Sequence, residues 1–140
     1  MKSLVLIGLL MAHGAAWAGC VNLVCLQRAA QRVDSLSPHI TELVYAIGSD
    51  SQLVGVIQGS DYPAAARHLP VVGNFQSVSL EHMLTLQPDL VIAWPAAIPE
   101  STLRRLRQFG ITVYISDPKT ITGILDNLDD LGKPLGRDHP

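Results

Sequence analysis

The run Leu90-Val91-Ile92-Ala93-Trp94 contains no polar residue that could mark a solvent face. A strand with one wet face alternates apolar and polar residues. A continuous apolar run marks a parallel strand covered on both faces. Leu53-Val54-Gly55-Val56-Ile57 reads the same way. Between such runs the pattern is helical. Ser37 offers an N-cap and Pro38 a first helical position, followed by Ile40, Leu43, Val44 and Ile47 on one face, with Gly48 to close the helix. Ser79 caps a stretch carrying Leu80, Met83, Leu84 and Leu86, which Gln87-Pro88-Asp89 ends. Pro99 opens a helix with Leu103, Leu106 and Phe109 on one side, and Thr120 caps a last helix through Leu131.

Strands are expected at 32–36, 53–57, 90–94 and 112–115, with a shorter extended piece at 69–72. Strand and helix alternate throughout, so each connection is a crossover and the sheet must be mainly parallel. The expectation is a three-layer α/β/α sandwich, with ligands bound beyond the carboxyl ends of the strands. Those ends fall at 35–39, 58–62, 94–98 and 116–119. With 140 residues, 48% hydrophobic and 16% charged, the chain suits one domain and is too apolar to be disordered. A net charge of −2 gives no basic excess to attract nucleic acid.

The first residues read separately. Lys2, the apolar run 4–12 and the small-x-small pattern Ala16-Trp17-Ala18 make residues 1–18 a secretory signal peptide, too short in its apolar part to span a bilayer. An uncleaved anchor or a buried helix is the alternative. Residues 19–31 form a mobile leader. Cys20 follows Ala18-Gly19, which leaves a lipid anchor there as a second route to the membrane. Export also leaves open whether Cys20 and Cys25 pair.

The chemistry of common enzymes is missing. There is no G-x-G-x-x-G after the first strand, no phosphate-binding G-x-x-x-x-G-K-[ST] and no G-x-S-x-G elbow. Neither a catalytic site nor a metal site is expected. Ser37 beside His39 is better explained as a helix cap. His68 and His82 look solvent-facing, whereas His39 stands at a strand's carboxyl end, where it would border a cleft. Asp61, Tyr62, Phe75, Trp94 and Asp117 all fall in loops or at strand ends. Aromatic faces with a few polar groups suit capture of a large, partly apolar ligand without reaction. Each also has a plainer reading. Tyr62 before Pro63 would pack under a turn, Trp94 would cap the core, and Asp117 before Pro118 is a turn signal. Glu81 suits the first turn of its helix on dipole grounds, and would equally dock an arginine on a partner.

Five segments carry a resemblance: Ser35-Leu36-Ser37-Pro38-His39-Ile40-Thr41-Glu42-Leu43, Leu53-Val54-Gly55-Val56, Ser60-Asp61-Tyr62-Pro63, Leu80-Glu81 and Gln87-Pro88-Asp89 through Trp94. In this order they resemble the periplasmic substrate-binding proteins of ABC importers for cobalamin and ferric siderophores. The Ser-Asp-Tyr-Pro and Val-Ile-Ala-Trp elements look most like the cobalamin (vitamin B12) binders. The resemblance covers 32–137 and implies the N-terminal lobe of a two-lobed protein, with residues 138–140 a truncated end. It implies a periplasmic location and cobalamin held as transported ligand, not cofactor, in a cleft between lobes. By position it assigns Ser60, Asp61, Tyr62, Phe75 and Trp94 to the ligand, and Glu81 to docking on the inner-membrane permease. The alternatives are a ferric siderophore or haem lobe, and an exported interaction domain that carries nothing. A hydrolase is the weakest reading.

Three departures stand against the family pattern. Gly59 sits where a ligand-contacting tyrosine often precedes Ser-Asp-Tyr-Pro. Asp34 replaces an apolar residue usual in the first strand, which would leave that strand frayed or shifted. The sequence reaches Pro140 about where a connecting helix is expected, so one wall of the cleft is present and cobalamin binding is expected to be weak.

Overall fold

A computed structural model describes residues 28–137. The signal-peptide and lipid-anchor readings lie outside the described residues. Within them the chain alternates as the apolar runs require: β1 (Val33–Ser35), α1 (Pro38–Ala46), β2 (Leu53–Ile57), β3 (Val71–Gly73), α2 (Leu80–Leu86), β4 (Leu90–Ala93), α3 (Glu100–Gln108), β5 (Thr112–Ile115) and α4 (Ile121–Gly132). The sheet is parallel throughout, in the order β3-β2-β1-β4-β5.

Alternation along β4 explains the sandwich. Val91 and Ala93 pack on one face with Met83 of α2 and Leu103 and Leu106 of α3. Leu90 and Ile92 pack on the other with Ile40 and Val44 of α1 and with Leu131. All four β4 side chains are buried, as a doubly covered strand demands.

Helix ends follow the local chemistry with one exception. The Ser79 hydroxyl accepts from His82 N at 3.2 Å, and Thr120 Oγ1 accepts from Gly123 N at 2.9 Å. Both are N-caps of the expected kind. Ser37 occupies the N-cap position of α1, but its hydroxyl makes no capping bond. That hydroxyl lies 2.6 Å from His39 Nδ1 instead. The third strand begins at Val71, later than expected. Pro70 has no N–H to pair, although its carbonyl still accepts from Val56 N at 2.9 Å.

Asp34 does not fray β1. The strand pairs with β2 and β4 on both sides, with a register offset against β2 between Val33 and Asp34. The Asp34 side chain is fully buried, and neither carboxyl oxygen has a hydrogen-bond partner. Space for it comes from Gly55, its register partner on β2. A Cβ at Gly55 would collide with Asp34 Oδ1 and lie 2.9 Å from both Leu86 Cδ1 and Val72 Cγ1. The glycine is therefore the counterpart of the carboxyl.

Burial pushes the Asp34 carboxyl up to about 7 from its ordinary 3.8, against a smaller opposing pull from Arg32. The folded state thus holds a proton that the unfolded chain releases near pH 4. Stability falls as pH rises from about 4 to about 7 and levels off above, by at most roughly 4 kcal/mol. Urea midpoints measured across pH 4.5–8 should show this slope, and Asp34→Asn should flatten it. Gly55→Ala should cost roughly 2 kcal/mol or more, and should cost less in an Asp34→Ala background.

Candidate functional site

The strand order reverses direction between β1 and β4. Chain leaving β1 enters α1 on one face of the sheet, and chain leaving β4 leads to α3 on the other. Diverging connections open a crevice beyond the carboxyl ends at this seam. The residues that flank it are His39, in the first turn of α1, and Trp94, directly after β4. Their rings meet edge to face, with centroids 5.5 Å apart and planes at 86°. They line a depression of about 310 Å³ with Glu42, Leu43, Pro118 and Ile124.

Trp94 is 38% exposed, so it presents part of its ring rather than closing the core. His39 is half-buried, and this desolvation lowers its imidazole below the ordinary 6.5, with the Glu42 carboxylate pulling the other way. Asp117 borders the same end of the sheet and is paired to Lys119 at 2.6 Å. A hydrogen bond from Lys119 is the main cause that holds the Asp117 carboxylate below its usual range. Its turn reading is thus joined by an ion pair.

The other residues singled out from sequence stand on neighbouring loops at the same end of the sheet. Tyr62 is 70% exposed and Phe75 75% exposed, so neither packs beneath a turn. Asn74 Oδ1 accepts from the backbone N–H groups of Gln76 and Ser77, both at 2.9 Å, and this tight turn carries Phe75 outward. Asp61 is exposed, with its carbonyl held by Arg67 Nε at 3.1 Å. Tyr62, Phe75 and Asp61 do not line the depression that Trp94 shares with His39.

Ser60 differs from its neighbours, because its side chain faces inward. It is 5% exposed, and its hydroxyl accepts from Thr41 Oγ1 at 3.1 Å. Thr41 also approaches Ser35 Oγ at 2.9 Å and the Ser37 carbonyl at 3.3 Å. This knot ties the loop after β2 to the start of α1, so Ser60 positions Asp61 and Tyr62 rather than facing the crevice. Glu81 is exposed in the first turn of α2. Thr41, Pro118 and Ile124 carry no signal in sequence. Thr41 acts through its contacts with Ser35 and Ser60, whereas Pro118 and Ile124 reach the depression because α4 covers the same face of the sheet as α1.

These features define a parallel α/β lobe with aromatic side chains exposed at the carboxyl ends of its strands. The periplasmic binding protein family matches residues 33–139, and the chain belongs to that family. It is 47% identical over 104 residues to a vitamin B12-binding protein of Vibrio campbellii, covering 74% of this chain and 38% of that one. The crystal structure of the periplasmic vitamin B12-binding protein of Vibrio cholerae superposes with a TM-score of 0.72 at 48% identity, over 75% of this chain and 41% of the other. A periplasmic haem-binding protein from Pseudomonas aeruginosa also gives 0.72, at 33% identity, over 77% and 39%. The chain thus spans about two fifths of the length of these relatives.

Protonation of His39 places a cation against the Trp94 ring and should quench its emission. Fluorescence excited at the indole should fall on acidification with a midpoint below 6.5, and the step should vanish in His39→Ala.

Proposed function

We propose that this lobe captures cobalamin (vitamin B12) in the periplasm, by contact and without chemistry, for delivery to an ABC permease of the inner membrane. The observation that carries the reading is the identity of 47–48% to vitamin B12-binding proteins, against 33% to a haem-binding relative of equal TM-score. The geometry agrees with it. Exposed rings at Trp94, Tyr62 and Phe75 sit on loops at one end of the sheet, where a flat, bulky ligand would be gripped by its faces and edges. Asp61 would supply a polar contact from the rim, and Ser60 would hold its loop in place. Exposed Glu81 is the candidate for a charge-assisted contact with a permease arginine. Haem is the second reading, supported by the haem-binding relative just described.

Titration of the full chain with cyanocobalamin and with ferric haem separates the two readings. Saturable binding of cyanocobalamin is expected with Kd above about 1 μM, because the described residues supply one wall of a cleft. Trp94→Ala should weaken it roughly tenfold through the lost aromatic face. Tighter binding of haem than of cyanocobalamin overturns the cobalamin reading in favour of haem. Glu81→Arg should abolish association with the detergent-solubilised permease while cyanocobalamin binding persists.

A further inference from the structure

We infer that His39 is an axial ligand for the metal at the centre of a planar macrocycle, taking the exchangeable coordination position of cobalt(III) in an aquated corrinoid. The inference rests on the cobalamin reading and adds a bond to it.

The imidazole has the surroundings of a metal ligand rather than of a core histidine. Its Nδ1 lies 2.6 Å from the buried Ser37 hydroxyl, which leaves Nε2 as the nitrogen available to a ligand. Metal-ligating histidines commonly donate their second N–H to an oxygen; with the proton on Nδ1, the Ser37 hydroxyl would accept it and fix the ring orientation. The usual use of a serine at this position, capping the helix, is given up: the Ser37 hydroxyl makes no bond to the α1 backbone N–H groups. Glu42 lines the same depression. The Trp94 ring stands perpendicular to the imidazole, so a macrocycle approaching His39 end-on would meet the indole as well. Leu43, Pro118 and Ile124 make the remaining wall largely apolar.

One protein nitrogen suffices for such a metal, because the macrocycle supplies the equatorial ligands. Among the described residues no three His, Cys, Asp or Glu side chains converge as a bare ion would require. The arrangement therefore suits a metal that arrives already held in a ring. The step is a ligand substitution. The Nε2 lone pair forms a Co–N bond, the Co–O bond to water breaks, and water leaves with both of its protons. The cobalt keeps its oxidation state. A cobalt whose axial position is occupied by cyanide cannot react in this way.

The test compares aquacobalamin with cyanocobalamin on the full chain, read by the visible spectrum. Aquacobalamin should bind roughly tenfold more tightly than cyanocobalamin and should shift its absorption bands toward those of imidazole-ligated cobalamin. In His39→Ala the band shift should vanish and the affinity ratio should collapse toward one. His39→Gln, which keeps side-chain bulk, should behave the same way, and Ser37→Ala should reduce the shift. Binding of both corrinoids without a shift overturns the inference and leaves the cobalamin reading standing. A shift that persists in both His39 variants also overturns it, since another group is then the ligand. Failure of both corrinoids to bind overturns the cobalamin reading and the inference with it.

Discussion

The pairing of β1 with β4 is the contact on which the site depends. These strands are far apart in sequence, and their ladder extends past the strand ends through a bond from Leu36 N to the Ile92 carbonyl at 2.9 Å. Because the two chains leave this seam toward opposite faces, nothing fills the gap above it. His39 and Trp94 are carried to its two sides from strands whose side chains are wholly buried. A rigid floor of this kind lets two aromatic groups keep a fixed angle without a dedicated loop to hold them.

The second constraint is local and polar. Ser35, Thr41 and Ser60 are buried hydroxyl residues, and each finds its partner within the group or on nearby backbone. A buried hydroxyl left unpaired is costly, so the knot holds together or is lost as a unit. It joins the ends of β1 and β2 to the first two turns of α1, the segment that bears His39. The orientation of the imidazole is therefore set by packing below it as well as by Ser37 beside it.

Much of this was legible in the sequence. Leu90 through Trp94 announced a doubly covered strand, and the helix starts at Ser79 and Thr120 fell where their side chains cap. The carboxyl ends of the strands fell where Tyr62 and Trp94 stand exposed, and exposure of Phe75 followed from its Gly-Asn turn. What stayed hidden required contacts between distant segments. Ser60 looks like a rim residue until Thr41 is seen beneath it. Ser37 looks like a cap until His39 takes its hydroxyl. Pro118 and Ile124 join the depression only because α4 covers the same face of the sheet as α1. Asp34 suggested a strand frayed or shifted; its register against β2 is offset, but nothing nearby in sequence reveals that Gly55 makes room for the carboxyl.

That last fit binds two positions together over the history of the family. Asp34 and Gly55 share a single volume on neighbouring strands, with Leu86 and Val72 fixing its outer limit. Neither can enlarge unless the other shrinks. Lineages that acquired a side chain on β2 at this point should carry a smaller residue on β1. A correlated exchange of that kind would record the contact in the sequences themselves.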